Sequence, residues 1–281
     1  ALLAAAQPRT HLNFDRDWKF AFGHAQHPEK DFNYGLETVL SKTGGAWNTA
    51  EQHIAPALGL LVHCVETDRD RRRGSGGLVV GRVSFDILGT VPVGVVDTAV
   101  EVLRGGRTIE LVQATMRYDG RTIVIARAWL MQTGDTEKLA GSPLPAIPGP
   151  DEMPAWDPTT VWPGGYIASA EVRRREIGPG RASYWVRTAQ PLLDGEQVSK
   201  LASAATLFDI ANGMAVRVDP TEVAYPNLDL TVHLFTEPRT EWLGFDTSVS
   251  FGGNGIGLTH SILHDGHGPI GAISQILTVR P

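Results

Sequence analysis

A single cysteine, Cys64, among 281 residues leaves no intrachain disulfide and no Cys-rich zinc site to be built, and fits a reducing, cytosolic setting. Long apolar runs are missing as well. Nothing approaches the ~20 residues that a membrane helix needs, and Ala1–Ala6 is too short for the apolar core of a secretory signal and has no basic flank. Positive charge is scarce: 25 Lys and Arg face 31 Asp and Glu, for a net charge of −6. The densest basic cluster, Asp68-Arg69-Asp70-Arg71-Arg72-Arg73, is broken by its own acids, so DNA and RNA are not expected partners. A Gly-x-Ser-x-Gly nucleophile elbow is absent too, which argues against α/β-hydrolase chemistry.

What the chain does have is punctuation, with 31 Gly and 18 Pro spread along it. Residues 1–44 read as a polar lead-in dotted with aromatics (Phe14, Trp18, Phe20, Phe22, Tyr34) and without recognisable chemistry. After the Gly44-Gly45 turn, Thr49 to Glu66 reads as a helix whose middle, Ala57 to Val62, is apolar on nearly every face and must therefore be wrapped. Four β-branched segments follow, near 78–87, 95–104, 107–117 and 121–132, separated by hairpin signals at Gly105-Gly106 and Asp119-Gly120. This gives an N-terminal half over 45–140. A Pro-rich linker is expected over 141–163, where Pro143 through Pro163 oppose regular structure.

The second half, 164–281, repeats the plan. Strands near 167–175 and 182–190 lead to a helix from about Glu196 to Asn212, closed by Gly213 as a C-cap, then strands near 227–235, 242–251, 255–264 and 269–279. Tyr118-Asp119-Gly120 matches His264-Asp265-Gly266, and Phe85-Asp86 matches Leu228-Asp229. One helix-plus-meander would leave open strand edges, so the two sheets are expected to pair edge to edge.

Leu207-Phe208-Asp209-Ile210-Ala211-Asn212, Asn227-Leu228-Asp229 with Glu241-Trp242-Leu243, and Ser274-Gln275 resemble the type II acyl-CoA thioesterases over residues 45–281, most strongly from Gly165 onward. The resemblance implies an α+β double hot-dog fold, hydrolysis of acyl-CoA to a free acid and coenzyme A, further assembly of copies, and no metal or other cofactor.

Asp209 interrupts an apolar helix near its C-terminal end, where burial and the helix dipole both disfavour a negative charge; a raised pKa suits a general base. The resemblance places a catalytic Asp at this position. Gln275, between Ile273 and Ile276 in the last strand, falls opposite Trp129 of the first half when both are counted from the Asp-Gly turns; the family uses the matching Gln to position water. Asn227 stands where the family has a Thr or Ser hydroxyl, with Thr231 and Ser250 as alternative hydroxyls. The implied mechanism is direct attack by water that Asp209 activates and Gln275 and Asn227 hold, with the oxyanion stabilised by backbone N–H groups at the start of the first helix or at Gly44-Gly45. Arg104, Arg107 and the 69–73 cluster are candidates for the coenzyme's phosphates.

Two other classes remain in view: an acyl-CoA or lipid binder without chemistry, suggested by Asn227, and a hydratase or dehydratase, for which the first helix offers His53, His63 and Glu66. Cys64 and His63 are consecutive on a helix and point ~100° apart, so no dyad is expected. His260 and His264 lie ~13 Å apart along a strand, too far to share a metal ion. The Gly252–Gly257 run lies between strands and opens no helix, so it is no phosphate loop.

Overall fold

The computed structural model describes residues 10–12, 51–74, 77–162 and 164–281. Apart from 10–12, the lead-in and the Gly44-Gly45 turn lie outside them. Strand β1 spans Thr10–Leu12, β2 Glu51–Gln52, and helix α1 Ile54–Arg73. Strands β3 Val79–Ile87, β4 Val91–Pro92, β5 Val96–Arg104, β6 Ile109–Tyr118 and β7 Arg121–Met131 complete the first half. The second half holds β8 Ala155–Trp156, α2 Gly165–Ala168, β9 Ala170–Gly178, β10 Arg181–Thr188, α3 Lys200–Ala205, α4 Ala211–Met214, β11 Asp229–Leu234, β12 Leu243–Phe251, β13 Ile256–Asp265 and β14 Gly268–Thr278.

Helix α1 begins later than its sequence pattern suggests and runs a further two turns. His53 caps its start, accepting from the Ala55 N–H at 3.2 Å, and Gly74 ends it at φ 77°, a left-handed conformation that favours glycine. The extra turns are held by charge: Arg72 pairs with Asp68 at 2.7 Å, and Arg72 and Arg73 both reach Glu110 on β6. The middle of α1 is buried on every side, as expected of a wrapped helix. Leu58, Leu60, Leu61, Val62 and Val65 are all 2% exposed or less, and burying each contributes about 1.5–3 kcal/mol.

Among the described residues, all neighbouring strands run antiparallel in one 12-stranded sheet ordered β1-β5-β6-β7-β3-β11-β14-β13-β12-β10-β9-β8, while β2 and β4 form a separate pair. The two halves join where β3 meets β11, with Asp86 opposite Asp229 and Val83 opposite Val232. This is the edge-to-edge pairing expected from the repeat, but Phe85-Asp86 and Leu228-Asp229 are not its equivalent positions: Ser84, paired with Arg127, corresponds to Thr231, paired with Ser274. The fold is a double hot-dog of the α+β class. The Pro-rich stretch is less irregular than its composition suggests, carrying two single 3₁₀ turns and β8, which pairs with β9.

The second-half helix is not continuous. It stops at Ala205 because the Thr206 hydroxyl turns back to the Ser203 carbonyl at 2.6 Å, while the Thr206 carbonyl accepts from the Tyr166 hydroxyl at 2.5 Å. A 3₁₀ turn, Phe208–Ile210, and then α4 follow. Gly213 is not a left-handed cap but lies within α4. A Cβ there would come within 3.1 Å of the Trp162 ring, whose Nε1 donates to the Gly213 carbonyl at 2.6 Å.

Candidate active site

The break in the helix places Asp209. In the 3₁₀ turn it points inward, 5% exposed, rather than sitting in a helix's last turn as the sequence pattern suggested. Gln275 points inward by strand alternation: on β14 the buried Ile273, Gln275 and Leu277 face the core while Ile276 is 45% exposed. Asn227 precedes β11 and bridges to Leu277. The three meet. The Asp209 Oδ1 accepts from the Asn227 amide at 2.6 Å and from the Gln275 amide at 3.3 Å. Because an ionised carboxylate only accepts, both amides must turn their NH₂ groups toward it. The Gln275 Oε1 then faces away; it is buried and has no hydrogen-bond partner among the described residues.

Oδ2 of Asp209 faces the first half. His53 Nε2 lies 3.8 Å from it, and the His53 side chain is 9% exposed. Its ring stacks on Tyr166, with centroids 4.2 Å apart and planes 18° apart. Nδ1 is the acceptor for Ala55, so the neutral ring carries its proton on Nε2. Asp209, His53 and Asn227 line a cavity of about 350 Å³ between the halves, walled by apolar groups including Ile87, Val91, Ile210 and Met214, with Leu88 and Leu228 at least half exposed.

Burial governs the titration of both groups. It pushes the Asp209 carboxyl from 3.8 up to about 7, the Asn227 hydrogen bond opposing this, and drives the His53 imidazolium down to about 3. The same burial, with Asp209 nearby, raises the Tyr166 phenol. A base that must be ionised to act predicts kcat/KM rising with pH by about tenfold per unit below the Asp209 pKa and levelling above it. The predicted break is about 7, where the carboxyl titrates. A profile from pH 5 to 9 measures it, and a break below 5 would contradict a base held in this cavity.

The other candidates lie elsewhere. Counting from turns set Gln275 opposite Trp129, but strand register corrects this. Ser84 pairs with Arg127 as Thr231 pairs with Ser274, and the hairpins close at Tyr118–Arg121 and Asp265–Gly268, so Ala128 follows Arg127 where Gln275 follows Ser274. The first half thus has buried Ala128 where the second has the amide. Thr231 pairs with Ser84 and Ser274 in the sheet, and Ser250 is exposed on β12. His63 meets Glu196 at 3.1 Å and Glu66 bonds to the Ser199 hydroxyl, both away from the cavity lining. Arg69 donates to the Leu78 carbonyl at 2.9 Å, Arg72 and Arg73 are engaged by Glu110, and Arg104 lies over Trp129. Most of the basic cluster is therefore occupied by the fold. Cys64 donates to Thr98 at 3.6 Å, and burial raises its thiol. His260 meets Ser274 at 2.9 Å, whereas His264 reaches the Pro145 carbonyl at 3.1 Å.

A duplicated hot-dog sheet with a buried carboxylate at its junction defines the class as double hot-dog proteins. The structure is similar to a hot-dog protein of unknown function from Alicyclobacillus acidocaldarius (TM-score 0.65, 14% identity, 84% of this chain and 90% of that one covered). It is similar also to a candidate thioesterase from Novosphingobium aromaticivorans (0.63, 23%, 82% and 88%). A third similar structure is the acyl-CoA thioesterase II TesB2 from Mycobacterium marinum (0.60, 18%, 80% and 90%). Comparison with curated proteins gives no match. Residues 43–131 match the acyl-CoA thioesterase N-terminal domain and residues 142–279 the C-terminal domain, and the chain belongs to this acyl-CoA thioesterase family.

Proposed function

We propose that this protein hydrolyses acyl-CoA to a free carboxylic acid and coenzyme A, with Asp209 as the general base. The observation that carries the reading is a carboxylate buried beside an apolar cavity and raised to about 7, where it can take a proton at neutral pH. Asn227 and Gln275 occupy its Oδ1, which leaves Oδ2 to accept the proton of the attacking water. Gln275 does not line the cavity, so its part is to hold and orient the carboxylate rather than to meet that water. Asn227 supplies through an amide the hydrogen bond that a hydroxyl makes in the family pattern. No acyl-enzyme is required. Family membership supports the acyl-CoA substrate, and the walls of the cavity suit its acyl chain.

The pairing of His53 with Asp209 invites comparison with dehydration chemistry, which needs a base to remove a proton beside the thioester carbonyl. With Nδ1 engaged by the Ala55 N–H and the ring neutral, Nε2 is protonated and cannot serve as that base. This favours hydrolysis. Release of free coenzyme A thiol from acyl-CoAs of increasing chain length is expected from the wild-type chain. Saturable binding with no thiol release from any of them would sink the hydrolase reading and leave a binding protein.

A further inference from the structure

The start of α1 is an unusual place from which to expect oxyanion stabilisation by backbone amides. Of its first three positions, Ala55 has its N–H taken by the His53 side chain, and Pro56 has no N–H at all. Only Ile54 retains an N–H without one of these constraints. The residue that uses up the Ala55 N–H nevertheless carries a donor of its own at the same place. His53 is held by stacking on Tyr166 and by its cap, faces the cavity, and presents Nε2–H 3.8 Å from the carboxylate oxygen left open for water.

We infer that His53 is a catalytic residue of the thioester hydrolysis, its Nε2–H donating a hydrogen bond to the thioester carbonyl oxygen as negative charge builds there. The inference rests on the thioesterase reading and adds to it the electrophilic half of the mechanism. Water attacks the carbonyl carbon and gives its proton to Asp209, and the C=O electron pair moves onto the oxygen held by His53. The C–O⁻ bond then re-forms as C=O, the C–S bond breaks, and Asp209 returns the proton to the departing thiolate. His53 keeps its proton throughout. An imidazole that stays neutral, as burial makes this one, is a donor that needs no counter-charge in an apolar cavity. The 3.8 Å between donor and base suits a water and a carbonyl oxygen held side by side.

Two substitutions separate this role from capping. His53→Asn retains an acceptor near the position of Nδ1 and removes the Nε2 donor. His53→Gln places an amide N–H near the position of Nε2 and gives up the cap. The Asn variant is expected to lose about 10²- to 10³-fold in kcat, as for removal of one oxyanion donor, with KM within a few-fold and an unchanged melting temperature. The Gln variant is expected to recover most of that kcat while melting lower, because a lost N-cap costs about 1 kcal/mol. An Asn variant with wild-type kcat, or a Gln variant no more active than the Asn variant, overturns the inference.

A second readout does not depend on turnover. The carbonyl stretch of an acyl-CoA labelled with ¹³C at the thioester carbon should move to lower frequency on binding to Asp209→Asn, and the shift should vanish in Asp209→Asn/His53→Asn. Bound substrate with an unshifted carbonyl in Asp209→Asn removes His53 from this role even where the wild type hydrolyses. A shifted carbonyl in a chain that releases no thiol sinks the hydrolase reading alone and keeps the contact.

Discussion

Replacing Asp209 by Asn lowers kcat for thiol release by about 10²- to 10⁴-fold, the range a positioned general base contributes, while acyl-CoA still binds. The substitution preserves volume, and the new amide can set its oxygen at Oδ1 to accept from Asn227 and Gln275 as before. The loss is therefore chemical. Stability separates it from unfolding. Asp209 titrates near 7 in the folded chain against 3.8 for an unperturbed carboxyl. Between those values the folded state holds a proton that the unfolded state has released, so wild-type stability falls as pH rises through this window and is level above it. The accumulated loss is on the order of a few kcal/mol. The Asn variant escapes it, so its melting temperature relative to wild type rises from pH 4 to pH 8. Equal activity in the two proteins would remove Asp209 from the mechanism. A variant that melts far below wild type at pH 8 would instead show that the carboxylate is structural.

The largest loss of stability is expected from Gly59→Leu. At Gly59, α1 crosses the end of α3 so closely that a Cβ would lie 2.5 Å from the Thr206 methyl and 2.9 Å from the Ala202 carbonyl oxygen. Thr206 cannot easily swing aside, because its hydroxyl bonds to the Ser203 carbonyl and its own carbonyl accepts from Tyr166. Removing a mid-helix glycine gains about 1 kcal/mol of helix propensity, and overpacking costs about 1–3 kcal/mol or more. For a side chain as large as leucine the clash wins. A fall in melting temperature on the order of 5 °C or more is expected. Activity should fall with it, since Thr206 anchors Tyr166, Tyr166 holds His53, and Thr206 starts the break that turns Asp209 inward. An unchanged melting temperature would show that the two helices can separate without cost.

Much of the architecture was readable because its signals are local. Strand positions followed from β-branched segments between turns, and Asp119 at φ 48° with Gly120 at φ 74° adopts the left-handed pair that a tight Asp-Gly hairpin requires. The wrapped helix announced itself as an apolar run too broad for one face. The repeat, seen as a helix and meander in each half, gave two sheets with edges to pair. Asp209 stood out as a charge in an apolar segment. Local pattern misled where a distant partner intervened. Thr206 looks like an ordinary helical position until Tyr166, 40 residues earlier, takes its carbonyl. Gly213 resembles a cap until Trp162, 51 residues away, requires its bare Cα. Counting from the Asp-Gly pairs set Trp129 rather than Ala128 against Gln275, because the first hairpin closes at Tyr118–Arg121, before its Asp, and the second at Asp265–Gly268, on it.

By itself the sequence determined the composition of the core, the order of helix and strands in each half, the duplication, and the residue types of the second-half site, because each depends on neighbours a few positions apart. Only the tertiary structure decided that His53 of the first half stands beside Asp209 of the second, and that burial moves their titrations in opposite directions. Distance across a fold and exclusion of water have no signature in local spacing; they arise when the sheets of the two halves meet at β3 and β11 and close a cavity over both groups.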